Sequence, residues 1–184
     1  IFLQSKPKRG LLTNSEIRVM ALAELDLGPT SIIWDIGAGS GSVAIEAALL
    51  APGGHVYAVE MDTGDYELIR ENSIRFGLEN VTAVLGQAPD AWSDLPAPDA
   101  IFIGGTGRQL VTIVSHALNR LKSGGRIVAD MASIDNLYDV QAVLRKETGD
   151  VNILMVNISR GNYQLERLSF DALTPKFLVS AIKP

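Results

Sequence analysis

Residues 34–41 read Trp-Asp-Ile-Gly-Ala-Gly-Ser-Gly, and residues 42–50 continue as Ser-Val-Ala-Ile-Glu-Ala-Ala-Leu-Leu. An apolar run, a turn with little side-chain bulk and a helix-forming segment thus follow one another. This order is typical of the first strand, loop and helix of a domain that binds a nucleotide cofactor. Glycines let the backbone turn tightly, and the free N–H groups of a helix start favour polar or anionic ligand atoms. The stretch therefore predicts a binding site.

The glycine spacing is G-x-G-x-G, whereas dinucleotide-binding domains carry G-x-G-x-x-G. The motif that begins at Asp35 resembles the opening motif of S-adenosylmethionine-dependent methyltransferases with a Rossmann-like sheet. A second apolar strand ends in Glu60, 19 residues beyond Gly41, where a carboxylate can accept ribose hydroxyls. The alternative is an ordinary parallel α/β core with a solvated Glu60. The cofactor-binding candidates of this region are Asp35, Gly37, Ala38, Gly39, Ser40, Gly41 and Glu60.

Composition limits the function classes. With 184 residues, 47% of them hydrophobic, the chain suits one domain with a sizeable core. The net charge of −5 argues against a broad nucleic-acid-binding surface. Because the chain has no cysteine and only His55 and His116, we expect no disulfide, no thiolate chemistry and no metal site. We also see no membrane-spanning run and no signal peptide, and we expect a cytoplasmic protein without a membrane partner.

The beginning of the chain has linker composition. Residues 4–10 are polar, basic and interrupted by proline and glycine, and the first residue is Ile1. We assign residues 1–12 to a linker or N-terminal arm and residues 13–184 to the domain. Residues 13–16, Thr-Asn-Ser-Glu, form a capping-box pattern that opens a helix running to about Asp26. Thr13 is therefore either only a cap or a cofactor contact.

Strands and helices then alternate, which predicts a mostly parallel sheet with helices on both faces. The predicted strands cover residues 31–36, 56–60, 81–85, 99–103 and 126–130. The predicted helices cover residues 41–50, 64–76 and 109–121, and another begins near Ser133. Residues 151–159 and 177–182 are two further strand-like runs, which predict a C-terminal antiparallel hairpin in a seven-stranded sheet.

Three loops follow the carboxyl ends of predicted strands, where open α/β sheets bind ligands. In residues 86–89, Ala88 leaves room for a flat adenine and Gln87 can add a side-chain bond, unless this loop is a plain helix entry. Residues 104–107, Gly-Gly-Thr-Gly, follow the fourth strand. Asp130 ends the fifth strand, where it faces the cleft or caps the next helix.

With these motifs placed, the chain resembles the precorrin-6Y methyltransferase (decarboxylating) family of cobalamin biosynthesis. The resemblance is to the domain that methylates carbon 15 and decarboxylates the acetate on ring C, and it runs from about Leu11 to Lys183. The matching segments are residues 12–13, 16–18, 35–42, 86, 88–89, 102–107, 124–129, 151–153 and 158–161. The segments at 86–89 and 103–105 are narrower signals than the glycine motif, which many methyltransferases share.

The resemblance implies a class I, Rossmann-like fold, S-adenosylmethionine as cofactor and a precorrin tetrapyrrole as substrate. It implies cofactor contacts at Thr13, residues 37–41, Glu60 and Ala88. It further implies a homo-tetramer, with the late hairpin as an assembly surface, and allows a fusion to an N-terminal domain that methylates carbon 5. The chain departs from the usual family pattern at Asn14, Gln87 and Asp130, where lysine, an acidic residue and asparagine are common.

The expected mechanism relies on positioning, because an electron-rich tetrapyrrole carbon can attack the methyl group directly. Asp130 is the candidate for proton transfer in the decarboxylation. Arginine and lysine suit the many substrate carboxylates. The substrate-binding candidates are Gly104, Gly105, Thr106, Gly107, Arg108 and Arg160, with Lys8 and Arg9 as further cationic candidates.

Three alternatives stay open on the sequence alone. The first is a methyltransferase that acts on RNA, protein or another small molecule, although the low basicity counts against RNA. The second is a non-enzymatic module that binds an adenosine ligand, which only turnover distinguishes from an enzyme. The third is an NAD-dependent oxidoreductase, which the G-x-G-x-G spacing disfavours.

Overall fold

The structure is a computed structural model that describes residues 2–4, 13–105, 107–164 and 166–184. Its helices are α1 (Ser15–Leu25), α2 (Ser42–Leu50), α3 (Thr63–Arg75), α4 (Leu110–Arg120) and α5 (Ile134–Thr148). Its strands are β1 (Ile32–Ile36), β2 (His55–Glu60), β3 (Val81–Leu85), β4 (Ala100–Ile103), β5 (Arg126–Met131), β6 (Asn152–Val156), β7 (Ser159–Gln164), β8 (Arg167–Ala172) and β9 (Lys176–Ile182). Single 3₁₀ turns cover Asp90–Trp92 and Gly107–Gln109. None of the helices in this described part is long and apolar enough to cross a membrane.

Seven strands form one sheet in the order β3-β2-β1-β4-β5-β9-β6. The first five strands along the chain pair in parallel, whereas β9 is antiparallel to both of its neighbours, β5 and β6. One apolar cluster joins the sheet to α1, α2 and α3, and a second cluster joins its other face to α4 and α5. The predicted Rossmann-like sheet with helices on both faces is therefore confirmed.

The central strands β1, β4 and β5 are buried on both faces, which explains why they read as continuous apolar runs. In β1, Ile33 packs into the cluster of α1 and α2, whereas Trp34 and Ile36 pack into the cluster of α4. Trp34 is fully buried and stacks on Trp92 with a centroid distance of 5.4 Å. Alternate side chains of one strand thus fix the two helical layers.

The end of the chain differs from the prediction. The predicted antiparallel pairing is present, since β6 and β9 pair, but β6 ends at Val156 rather than at Ser159. The connection between them forms a separate two-stranded sheet, β7 with β8, which the sequence analysis did not predict. Gly161 and Asn162 have low strand propensity and lie in the middle of β7. These residues hid the strand pattern.

The capping box predicted for residues 13–16 is wrong. The N-cap of α1 is Asn14, which makes no side-chain cap hydrogen bond, and the Ser15 hydroxyl donates to the Glu16 carboxylate. Glu16 also accepts two hydrogen bonds from Arg160 of β7, at 3.1 and 3.0 Å. The helix predicted near Ser133 is confirmed, with the Ser133 hydroxyl as cap, and the alternative that Asp130 caps this helix is wrong.

Candidate active site

The strand register brings four residues into one row at the carboxyl edge of the sheet. The last register pairs there join Val59 with Ile36, Ile36 with Ile103, and Ile103 with Ala129. One residue further along the four strands come Glu60, Gly37, Gly104 and Asp130, which we call the edge row. Neighbouring strands lie about 4.8 Å apart, and three such spacings separate β2 from β5. The backbones of Glu60 and Asp130 therefore lie about 14 Å apart. Two carboxylates thus flank two glycines.

The glycine turn after β1 has the backbone that the sequence predicted. Gly37, Gly39 and Gly41 adopt left-handed φ angles of 72°, 55° and 81°, which favour glycine. The N–H groups of Gly37 and Ala38 donate to the carbonyl of Val59 at N···O distances of 2.9 and 3.1 Å. Because Gly41 is the N-cap of α2, the turn leads directly into the first turn of that helix.

Glu60 is fixed at the other side of the turn. One carboxylate oxygen accepts from the N–H groups of Met61 and Asp62, and the other, Oε2, accepts from the N–H of Gly39 at 2.8 Å. A carboxylate has about four acceptor positions, so Oε2 keeps capacity for a further donor. This geometry suits a carboxylate that receives a ligand hydroxyl, the role predicted from the sequence.

Asp35 lies beneath the turn and is 1% exposed. Its Oδ2 accepts from the N–H of Ala44 in the first turn of α2, at 2.8 Å. Its Oδ1 has no hydrogen-bond partner in the described part of the chain. Burial raises the pKa of Asp35 to about 7, the Ala44 bond opposes this, and the nearby Glu60 adds to the rise. In this geometry Asp35 anchors α2 to β1.

A cleft opens between the glycine turn after β1, the end of β2 and the loops that follow β3 and β4. It has a volume of about 80 Å³, and its lining includes Glu60, Gln87, Ala88, Gly105 and Gln109. The amide of Gln87 donates to the side-chain oxygen of Gln109 at 3.1 Å across the cleft. Sequence reasoning selected Gln87 and Ala88 but missed Gln109, as well as Met61, which is 69% exposed directly after Glu60. That position after Glu60 was the available signal for Met61.

The loop after β4 closes the cleft from the side of the substrate candidates. Gly104 is buried and its N–H donates to the carbonyl of Ile36, while Gly105 adopts a φ of 65°. A Cβ added at Gly105 would lie 3.4 Å from the carbonyl oxygen of Gly37. The two glycine loops therefore nearly touch. Thr106 lies outside the described residues, and of Arg108 only the backbone belongs to them.

Asp130 and Lys176 form an ion pair at the far end of the edge row. Lys176 Nζ lies 3.0 Å from Asp130 Oδ2, and the two side chains are 25% and 5% exposed. Within the described ranges, Asp130 Oδ1 is buried without a hydrogen-bond partner. Burial raises the pKa of Asp130, and the Lys176 ammonium opposes the rise. Sequence reasoning missed Lys176 because it lies 46 residues after Asp130 in the chain.

Two of the remaining candidates, Thr13 and Arg160, lie beside α1. The Thr13 carbonyl accepts from Arg18 at 2.6 Å, and Arg18 also pairs with Glu46 at 2.7 Å. Arg160 pairs with Glu16 at 3.0 Å, so its guanidinium is already neutralised. Lys8 and Arg9 lie outside the described residues.

A residue that sequence reasoning did not select supports the glycine turn from behind. Asn72 of α3 is fully buried, and its amide donates to the carbonyl of Ser40 at 2.9 Å. The same side chain exchanges hydrogen bonds with the backbone of Leu3. The turn is thereby tied both to α3 and to the first described residues.

Known proteins of one family are similar to this chain. Residues 7–172 match the family model of the precorrin methyltransferase domain. The chain is 33% identical over 172 residues to a probable cobalt-precorrin-6B C(15)-methyltransferase (decarboxylating) of Pyrobaculum calidifontis, covering 92% of this chain and 88% of that protein.

Two solved structures are also similar. One is a precorrin-6y C5,15-methyltransferase from Geobacter metallireducens, with a TM-score of 0.90 and 36% identity over 99% of this chain and 94% of that one. The other is a precorrin 8w decarboxylase from Methanobacterium thermoautotrophicum, with a TM-score of 0.89 and 29% identity over 98% and 96%.

Proposed function

The chain belongs to the precorrin methyltransferase domain family, and from this premise we propose that it methylates carbon 15 of a precorrin-type tetrapyrrole. The same reaction removes the carboxyl group of the ring C acetate, with S-adenosylmethionine as methyl donor. The observation that carries the proposal is the edge row, in which Glu60 and Asp130 lie about 14 Å apart across two glycines. This spacing leaves room for two ligands side by side.

The residues on the β2 side fit S-adenosylmethionine. The spare acceptor capacity of Glu60 Oε2 suits a ribose hydroxyl, and the cleft beside Gln87 and Ala88 suits a flat base. The left-handed Gly39 and Gly41 allow the chain to approach the ligand closely. Asp35 serves this site through Ala44, by holding the start of α2 in place. When bound, S-adenosylmethionine supplies an electrophilic methyl group on its sulfonium.

The residues on the β5 side suit the acceptor. Gly104 and Gly105 leave backbone rather than side chains between the two ligands, so a flat macrocycle can approach closely. Such positioning lowers the barrier of a two-substrate reaction by several kcal/mol. Asp130, at the end of the row, takes part in the proton transfer that decarboxylation requires.

The test begins with calorimetric titration of the protein with S-adenosylhomocysteine, using NAD as the comparison ligand. We expect micromolar binding of S-adenosylhomocysteine alone. Replacing Glu60 by Gln is expected to weaken binding about 10- to 100-fold, because a bond to a charged acceptor contributes about 1.5–3 kcal/mol. Glu67→Gln, on the exposed side of α3, is the control and should bind like the wild type.

The second stage supplies the tetrapyrrole and measures methyl transfer and carbon dioxide release. Both activities are expected from the wild type and neither without the methyl donor. Binding without any turnover would favour the adenosine-binding module, and methylation of RNA or protein instead would favour the first alternative. Binding of NAD alone would contradict the assignment of the cofactor.

We further propose self-association through β7 and β8. The register places Tyr163, Leu168 and Phe170 on one face of this hairpin, and these side chains are 71%, 64% and 68% exposed. A two-stranded hairpin with one exposed apolar face is marginally stable alone. A second copy of the chain would cover this face, which supports the expected homo-tetramer.

A further inference from the structure

Lys176 occupies a position that no other described lysine shares. It begins β9, which runs antiparallel to β5, so it lies at the carboxyl edge beside Asp130. Lys122 precedes β5, Lys146 lies near the end of α5, and Lys183 follows β9, which places all three towards the opposite edge. Among the lysines of the described ranges, Lys176 alone therefore lies beside the acceptor end of the edge row.

Within the described residues, the ion pair leaves hydrogen-bonding capacity unused on both side chains. Lys176 carries three N–H donors, and its side-chain partner among the described residues is Asp130 Oδ2 at 3.0 Å. Asp130 Oδ1 is buried and makes no hydrogen bond within the same residues. A half-buried ion pair contributes little net stability, because desolvation offsets the attraction. We therefore interpret the pair as a means of holding the Lys176 ammonium in position rather than as a stabilising salt bridge.

The two side chains differ in how far they reach. The Asp130 side chain is 5% exposed, whereas the Lys176 side chain is 25% exposed. An acid that acts on a bound ligand must reach it, so the ammonium is better placed than the carboxyl group. Strand spacing puts β9 two strands, about 10 Å, from the Gly104 loop.

We propose that Lys176 is the general acid of the decarboxylation and that Asp130 is its positioning residue. The inference rests on the proposed function. The bond between the carboxyl carbon and the methylene carbon of the acetate breaks, and carbon dioxide leaves. The electron pair passes into the conjugated macrocycle and returns to the methylene carbon as that carbon takes a proton from Lys176 Nζ. A methyl group results, and the neutral amine regains a proton from water.

Lys176→Arg tests the proton transfer separately from the charge. Arginine keeps a cation beside Asp130 but does not release a proton. We expect S-adenosylhomocysteine affinity within twofold of the wild type, continued methylation, and carbon dioxide release at least about 100-fold slower, as for loss of a general acid. Mass spectrometry should then show a methylated tetrapyrrole that keeps its carboxyl group. Lys146→Arg, at an 82% exposed lysine, is the matched control and should behave as the wild type.

A second variant guards against a folding defect. The double replacement Asp130→Asn with Lys176→Gln removes both charges and retains a hydrogen-bonding pair, and it should also methylate without releasing carbon dioxide. If Lys176→Arg releases carbon dioxide at the wild-type rate, Lys176 is not the general acid, although the proposed function still stands. A wild type that neither methylates nor decarboxylates the tetrapyrrole would instead overturn the proposed function.

Discussion

At the residue scale, Asp35 combines full burial with a single hydrogen bond. Its Oδ2 holds the Ala44 N–H, and its Oδ1 has no partner in the described part of the chain. The pKa of about 7 is far above the ordinary aspartate value of 3.8. Between these two pH values the folded protein holds a proton that the unfolded chain releases. Folding stability due to this group is therefore greatest in acid and falls as pH rises towards 7.

Asp35→Asn should remove this pH dependence, because an amide can still accept from Ala44 but does not ionise. Between pH 5 and pH 8, the wild type is expected to lose about 3 kcal/mol more unfolding free energy than the variant. Urea unfolding at the two pH values measures the difference. The exposed Asp139→Asn on α5 is the control and should follow the wild type. Equal pH dependence in wild type and Asp35→Asn would contradict the prediction.

At the scale of elements, the turn between β1 and α2 was predictable because its chemistry is local. Glycine spacing, the following helix and the carboxylate at the end of β2 are all read within 27 residues, 34–60. The Asp130–Lys176 pair depends instead on β9 inserting beside β5, which brings together residues far apart in the chain. Likewise, the capping box failed because the N-cap of α1 is Asn14 rather than Thr13, and Glu16 pairs with Arg160 of β7. Both features depend on tertiary contacts, which local sequence patterns do not contain.

Gly41→Ala and Gly124→Ala form a matched pair for this turn. Both glycines have left-handed φ angles, 81° and 76°, so either replacement costs about 1–2 kcal/mol in backbone strain. A Cβ at Gly41 would lie 3.2 Å from Ile69 Cγ1, whereas the described residues leave open space at Gly124. We expect both variants to lose stability in urea unfolding, and Gly41→Ala to lose more.

Ligand affinity should also differ between the Gly41→Ala and Gly124→Ala variants. Gly41 is the N-cap of α2 and follows the carboxyl end of β1, whereas Gly124 precedes β5 at the opposite edge of the sheet. Calorimetry should show at least about tenfold weaker S-adenosylhomocysteine binding for Gly41→Ala, equivalent to about 1.4 kcal/mol, and unchanged binding for Gly124→Ala. Equal affinities would show that the turn does not need glycine at position 41 for its ligand.

At the scale of the whole molecule, the β7–β8 hairpin stands apart from the seven-stranded sheet. Its apolar face carries Tyr163, Leu168 and Phe170, and its opposite face carries polar side chains such as Gln164 and Arg167. The period-2 alternation is the pattern of a strand pair with one covered face. Within the described ranges no element covers that face, since all three side chains are mostly exposed.

The double replacement Tyr163→Ser with Phe170→Ser should therefore reduce the assembly of the protein. Light scattering coupled to size-exclusion chromatography is expected to give a smaller molar mass than for the wild type, with cofactor binding retained. Gln164→Ser with Arg167→Ser changes the polar face instead and should keep the wild-type mass. A monomeric wild type, or equal masses for both double variants, would contradict the assembly surface.

The edge row and the neighbouring Lys176 are built from two separate parts of the chain. Glu60 and the turn at Gly37 come from the first 60 residues, whereas Asp130 and Lys176 come from the last 55. Gly104, between them, contributes backbone alone. Mutations at β5 and β9 therefore change one half of the row and leave the half built by β1 and β2 unchanged. Under the proposed function, such a division lets the acceptor side of the site diverge while the cofactor side stays the same.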